Sequence, residues 1–345
     1  MAATIKDIAK KTGLGLATIS SYINGGNVRE ANRIKIEAAI EELHYEINEV
    51  ARGLKTNKTK TIGVVIPELN NIFCTEIITS MEDVLRNHGY ATIVCDCRTD
   101  KKLEEEAISF LTQKRVDGII NMPVDTTGAH LEAFRKSGKP VVLIDRKIKN
   151  LNCDSVFVDN RTASREAVEL LIQNGHKNIG IVAGPQDVFT AKERLLGYED
   201  ALTQAQISID KKLIYEGDYK MGSGVRGIEH LVKENPDMTA VFVCNYEMTM
   251  GSVIGANELS LTIPDDLSLV GFDNLAFARA CRPKLTIVVQ PTETIGTEVA
   301  RVMLDRLEDG EKRKQDPSEE TELHENIKLM ASIVEGKSVK NLKID

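Results

Sequence analysis

The 345 residues read as an α/β protein with an all-α head. From Thr61 onward short β-branched runs alternate with helical stretches, the rhythm of parallel sheets covered by helices on both faces. Before Thr61 the apolar residues recur only at helical spacing. Charge divides the chain at the same place: residues 1–60 hold ten Lys/Arg against seven Asp/Glu, which leaves 34 against 45 for the rest. A basic head is therefore joined to an acidic body within a net charge of −8.

The head begins with Thr4 and, three positions on, Asp7, the spacing of a capping box. Ile5, Ile8 and Ala9 then mark one face of a first helix, which Gly13 ends. Leu16, Ile19 and Ile23 mark one face of a second helix, closed by Gly25-Gly26. Counted from Ile5, the small residue Ala9 falls fifth, Gly13 ninth and Ile19 fifteenth, which are the helix crossing, tight turn and core wedge of a helix-turn-helix. A third helix is expected over Glu30–His44, with Ile34, Ala38, Ile40 and Leu43 as its apolar face. Three short helices make a minimal core, and a basic module of this size on an acidic body fits sequence-directed DNA binding better than nonspecific coating. The stretch "NEVARGLKTNKTKT" follows, a weak helix over Val50–Leu54 with Gly53 in its interior, running into a polar linker.

The body carries ten candidate strands: "TIGVVIP", "YATIVCDC", "DGIINMP", "PVVLID", "SVFVD", "NIGIVAG", "LIYEGD", "AVFVCN", "LSLVGFD" and "LTIVVQ". Ten strands exceed what one compact sheet of this class usually holds, so two similar lobes are expected. In such sheets ligands sit beyond the carboxyl ends of the strands. Those ends carry Asp145 with Arg146, Asp159 with Asn160, Asp218 with Tyr219, Asn245, Asp273 and Gln290. Any one of them reads more readily as a helix N-cap, but the set reads as the lining of a cleft.

The segments "TIKDIAKKTGLGLATISSYING", "AIEELHYEINEVARGL" and "KTKTIGVVIPELNNIF" closely resemble the head and hinge of the lactose/galactose repressor (LacI/GalR) family of bacterial transcription regulators, and the resemblance extends over almost the whole chain. It implies a three-helix helix-turn-helix domain at 1–47 and a hinge helix with linker at 48–60. A two-lobed core like the periplasmic binding proteins follows, its first lobe 61–160 with 291–322 and its second 161–290 with 323–345. It implies a homodimer on double-stranded operator DNA, acting as a repressor, with a sugar or sugar derivative as effector. Implied DNA contacts fall on Thr4, Leu16, Ala17, Thr18, Ser20, Ser21, Asn24, Tyr45, Asn48, Arg52 and Leu54, the last matching the leucine that paired hinge helices wedge into the minor groove. Implied effector contacts fall on Asn71, Phe73, Asp145, Arg194, Tyr219, Asn245, Tyr246, Asp273 and Gln290. Arg194 is the anchor, its guanidinium able to fork onto two hydroxyls or a carboxylate.

Five positions depart from the family pattern. Gly15 stands where the recognition helix usually opens on serine, and Ser21 where an arginine usually follows. Leu16 and Ala17, at the base-reading positions, cannot make the bidentate arginine–guanine contact, so apolar contact with thymine methyls and the hydroxyls of Ser20 and Ser21 are expected to carry direct readout. Ile47 replaces the proline before Asn48, Ile72 the proline before Phe73, and Tyr246 the aspartate after Asn245. With no tryptophan in the chain, Phe73, Phe189, Tyr219 and Tyr246 are the aromatics available to stack on a ligand.

Other signals are weaker. "GSGVRG" from Gly222 has the form GxGxxG, but the next strand ends in Asn245 rather than the acid that a ribose needs. The six histidines form no i, i+4 pair, and no nucleophile elbow or phosphate-binding loop is present, so neither metal, cofactor nor enzyme activity is expected. The six cysteines never form CxxC pairs and are expected to be free thiols, Cys95 and Cys97 sharing one strand face. The charged run near 308–326 reads as a solvated helix end, and with no closing leucine heptads a dimer rather than a tetramer is expected. The start lacks the apolar core of a signal peptide and no run of about 18 apolar residues occurs, so a cytoplasmic protein is expected. The alternatives from other classes are a carbohydrate-binding receptor or transport component, and a catabolite-control type of regulator that uses a phosphoprotein corepressor.

Overall fold

The computed structural model describes residues 3–45, 58–148, 151–315 and 324–343. The chain divides into two compact units, residues 1–61 with 115–117, and the remainder. In the first unit, α1 (Ile5–Thr12), α2 (Leu16–Ile23) and α3 (Glu30–Glu42) close on a core of Ile8, Ile19, Ile36 and Ala39. The Asp7 carboxylate accepts from both the Thr4 N–H and the Thr4 hydroxyl, at 2.8 and 2.7 Å, which fixes the start of α1. Gly13 ends α1 in the left-handed region (φ 71°), where a side chain would be strained.

The third helix departs from its expected face. Ile34 is 58% exposed and Ala38 is exposed, whereas Ile36 and Ala39 are buried and Ile40 and Leu43 pack beside them. The expected set mixes two sides of the helix, since Ile34 and Ala38 lie roughly opposite Ile40 and Leu43; the one coherent stripe, Ile36, Ala39, Ile40 and Leu43 at i, i+3, i+4 and i+7, is the face that meets Ile8 and Ile19. Leu16 likewise faces outward at 47% exposure instead of joining Ile19 in the core.

The second unit holds two six-stranded sheets, each spatially ordered around a parallel centre. Strands β1 (Thr61–Ile66), β2 (Ala91–Asp96), β3 (Gly118–Asn121), β4 (Val141–Ile144), β5 (Asp154–Val158) and β11 (Asn326–Leu329) form the first sheet, in the order β11-β5-β4-β3-β1-β2. Strands β6 (Ile179–Ala183), β7 (Ile214–Glu216), β8 (Ala240–Val243), β9 (Ser268–Phe272), β10 (Thr286–Val289) and β12 (Ser332–Val334) form the second, in the order β12-β10-β9-β8-β6-β7. All ten expected strands are present. The two missed, β11 and β12, are short and half exposed, so they lack the continuous apolar run that marks a buried parallel strand.

The helices that follow the strands are α4 (Ile72–Asn87), α5 (Lys101–Gln113), α6 (Ala129–Lys136), α7 (Asn160–Gln173), α8 (Phe189–Gln204), α9 (Met221–Glu234), α10 (Tyr246–Glu258), α11 (Leu275–Ala280) and α12 (Thr292–Gln315). The chain passes between sheets after β5, after β10 and between β11 and β12. The expected boundary at 322/323 needs correction, because β11 pairs with β5 in parallel and so belongs to the first lobe. The return to the second lobe therefore lies between Leu329 and Ser332, where β12 pairs antiparallel with β10. Each lobe has its own core, Ile62, Val64, Ile120 and Val142 among the residues of the first, Ile181, Phe242, Val270 and Ile287 among those of the second.

All six cysteines are free. Cys97 falls just beyond β2 rather than on it, buried, with its Sγ–H donating to the Ile66 carbonyl at 3.1 Å. The GxGxxG segment lies inside α9, where its glycines serve packing: a Cβ on Gly224 would stand 2.3 Å from the Met248 carbonyl oxygen on α10. No helix among the described residues is long and apolar enough to cross a membrane.

Candidate ligand cleft and nucleic-acid interface

The carboxyl ends of β1 and β4 from the first lobe and of β6 to β10 from the second open onto one cleft with an empty volume of about 820 Å³, open to solvent. All nine residues singled out as effector contacts line it: Asn71, Phe73 and Asp145 from the first lobe, and Arg194, Tyr219, Asn245, Tyr246, Asp273 and Gln290 from the second. Phe189, also expected among its aromatics, does not line it.

Local structure explains how each side chain is aimed. Asn71 caps α4, its Oδ1 accepting from the Phe73 N–H at 3.0 Å, which leaves its Nδ2 for the cleft. Asn245 caps α10 by accepting from the Met248 N–H at 3.0 Å, and its Nδ2 donates to the Tyr219 carbonyl at 2.9 Å. Its amide is thus committed to the scaffold on both sides, a positioning role. Asp145, Tyr219 and Asp273 all sit at strand ends in the left-handed region, with φ of 63°, 66° and 64°. This turns their side chains inward at a conformational cost that ordinary strand ends avoid. The Tyr219 ring packs against Gly184, where a Cβ would come within 2.2 Å of it, and its hydroxyl is 3.3 Å from the Thr190 hydroxyl.

Arg194 is almost fully buried and tightly held. Its Nε donates to Asn160 Oδ1 at 2.7 Å, its Nη1 donates to the Cys244 carbonyl, and its guanidinium lies 3.7 Å over the centre of the Phe272 ring. Asn160, read from the sequence only as a strand-end residue beside Asp159, is the residue that positions Arg194. It stands one place beyond the cap Asp159, and only the packing of α7 against α8 brings it to Arg194. Burial pushes the Asp273 carboxyl up to about 6, and Asp145 and Glu76 push in the same direction, while Arg194 and the Gln290 amide restrain the rise. Gln290 Nε2 donates to Asp273 Oδ1 at 2.9 Å, and Gln290 Oε1 is buried with no hydrogen-bond partner. A cleft floor with an electron-rich carboxylate and an unanswered carbonyl oxygen calls for a donor-rich ligand. Tyr246 meets Phe277 edge-on at 6.0 Å and forms a half-buried aromatic wall.

Glu68, Arg146 and Lys220 also line the cleft. Neither spacing nor any strand-end rule singled out Glu68 or Lys220, and Arg146 was noted only beside Asp145. Asp159 stays a cap: it accepts from the Thr162 N–H at 3.2 Å and from Lys328 Nζ at 2.7 Å.

On the head, Leu16, Ala17 and Asn24 are exposed, and Thr18, Ser20, Ser21 and Tyr45 half exposed. Asn24 Nδ2 donates to the Ser20 carbonyl at 2.6 Å and closes the end of α2. The Thr4 hydroxyl is held by Asp7. Asn48, Arg52 and Leu54 lie outside the described residues.

Residues 4–48 match the pattern described as bacterial regulatory proteins, lacI family, and residues 59–330 that of the periplasmic binding proteins and sugar binding domain of the LacI family. Catabolite control protein A of Priestia megaterium is 37% identical over 305 residues, 88% of this chain and 92% of that protein. The transcriptional repressor CytR of Escherichia coli K12 is 34% identical over 312 residues, 89% and 90% of the two chains. Among solved structures, the lac repressor dimer bound to operator and an anti-inducer superposes with a TM-score of 0.85 at 26% identity, over 99% of this chain and 100% of that one. The regulator CelR in complex with cellobiose gives 0.74 at 28% identity, over 97% and 99%. These relatives are regulators of transcription.

Proposed function

Since the chain belongs to the LacI family of bacterial regulatory proteins, we propose that it acts as a homodimeric repressor whose operator affinity is set by a sugar or sugar derivative held between the lobes. The observation that carries this reading is the pairing, in one chain, of a helix-turn-helix whose second helix turns Leu16 and Ala17 to solvent with a cleft in which nine strand-end and helix-start side chains converge. Leu16 and Ala17 read thymine methyls, Ser20 and Ser21 offer hydroxyls to base edges, and Thr18, Asn24 and Tyr45 fix register on phosphates. Thr4 contributes by holding Asp7 and the start of α1. Asn48 and Arg52 contact the DNA from the hinge, and Leu54 wedges into the minor groove of a bent operator.

In the cleft, Arg194 and Asn71 donate, and Asp145, Asp273 and Gln290 accept. Phe73, Tyr219 and Tyr246 supply apolar faces, and Asn245 holds Tyr219 in place. Selection of bound duplexes from random DNA by the full chain, followed by anisotropy titration in rising KCl, tests the DNA half. A palindromic consensus and an affinity that falls steeply and log-linearly with salt are expected. Enrichment of no sequence, or a salt-independent affinity, would refute it.

A further inference from the structure

We infer that the cleft accepts a non-anionic polyhydroxyl effector and turns away its phosphorylated counterpart, an inference that rests on the sugar reading above and narrows it. A phosphoryl group brings about −1.5 to −2 charges at pH 7 and needs cations that are not already balanced by carboxylates to hold it. Among the described residues the lining holds three cationic side chains, Arg146, Arg194 and Lys220, and each already faces a carboxylate. Lys220, beyond β7 in the second lobe, pairs with Glu68, beyond β1 in the first, so the two close across the cleft from lobe to lobe. Arg146 donates from Nη1 to the Pro123 carbonyl at 3.1 Å, and its Nε, which makes no hydrogen bond, stands 3.5 Å from Asp145 Oδ2. Arg194 is spread over Asn160, the Cys244 carbonyl and the Phe272 ring, and its remaining charge faces Asp273.

Against these three stand five carboxylates in the same lining, the partners Glu68, Asp145 and Asp273 together with Asp218 and Glu247. The surplus is negative. Of the two helix starts that open into the cleft, each has one N–H already taken, that of Phe73 by Asn71 and that of Met248 by Asn245, and the first turn of α10 carries Glu247, one of the five carboxylates. A cleft with low-dielectric walls focuses such a field, and like charges brought together in it cost enough to decide between ligands. Hydroxyl groups, by contrast, find acceptors on Asp145, on Asp273 and on the unpartnered Gln290 Oε1.

The test uses the full chain in calorimetric titrations against matched pairs: glucose with glucose 6-phosphate, ribose with ribose 5-phosphate, and glucosamine and cellobiose as further non-anionic probes. At least one non-anionic sugar is expected to bind, and its phosphate to bind at least about tenfold more weakly. Glu68→Gln frees Lys220 and should raise affinity for the phosphorylated partner by about tenfold, a gain that the added change Lys220→Gln should erase. A phosphorylated sugar that binds as tightly as its parent, or binds when no neutral sugar does, overturns this inference and leaves the sugar reading standing. Silence from every member of both series overturns the sugar reading and this inference with it.

Discussion

Replacing Asp273 by asparagine should make the ligand-free core more stable, and increasingly so as pH rises. The side chain is buried at the end of β9 beside a second carboxylate, and its carboxyl is pushed up to about 6 from 3.8, chiefly by burial. An acid raised in this way is protonated in the folded protein and ionised in the unfolded chain between those two values. Folding stability is therefore full below pH 3.8, falls as pH rises, and is lowered by its whole amount above about 6. The difference corresponds to roughly 3 kcal/mol. Asparagine has the same shape, tolerates the left-handed backbone that Asp273 adopts at φ 64°, and carries no charge to desolvate. Melting curves of wild type and Asp273→Asn should nearly coincide at about pH 3 and separate by roughly 5 °C or more, in favour of the variant, at about pH 8. The same substitution removes a charged acceptor and should cost the effector about 1.5–3 kcal/mol. A difference in melting temperature that does not change with pH, or a variant less stable than wild type at pH 8, would refute the argument that desolvation of this carboxylate is held against the ligand.

Four further outcomes are expected. Arg194→Ala should weaken effector binding by about 1.5–3 kcal/mol in calorimetry and also lower the melting temperature of the core, because Asn160 Oδ1 and the Cys244 carbonyl lose their donor. Ile19→Ala, which opens a cavity in the four-residue centre of the head, should cost about 2–5 kcal/mol there and abolish operator binding while the core melts as before. Arg306→Met leaves the buried Asp154 without its two-pronged partner at 3.0 and 2.8 Å, and should destabilise the first lobe by about 3–5 kcal/mol in urea melts. Leu54→Ser should abolish operator bending in a gel assay and leave the melting of the core unchanged; equal bending by both proteins would return Leu54 to a structural role.

The parts of the fold legible in the sequence are those with strong period and full burial. The ten strands β1 to β10 stand where the β-branched runs lie: eight are largely buried and announce themselves as continuous apolar segments, while the half-exposed β2 and β7 stand out by their β-branched and aromatic residues, Thr92, Ile93 and Val94 and Ile214 and Tyr215. The half-exposed β11 and β12 carry no such signal, and with them went the point where the last crossover returns to the second lobe. The face of α3 was legible but misassigned: Ile34 leads to Glu37 and Glu41 at helical spacing, whereas Ile36 leads to Ala39, Ile40 and Leu43, the stripe that packs with Ile8 and Ile19. In the cleft, the strand-end rule and the family resemblance found the side chains that face the empty space. They did not find what holds those side chains or balances their charge. Asn160 meets Arg194 across 34 residues and Glu68 meets Lys220 across 152, distances at which sequence spacing says nothing about contact.

Occupancy of the cleft is expected to change the affinity of the head for DNA. This coupling is tested most directly by anisotropy titration of the full chain onto its selected palindromic duplex, with and without a saturating sugar identified by calorimetry. Effector should shift the Kd for the duplex at least about tenfold, and the duplex should shift the Kd for effector by the same factor, since the coupling is reciprocal. Identical duplex affinity with the cleft empty and with the cleft filled would contradict such coupling.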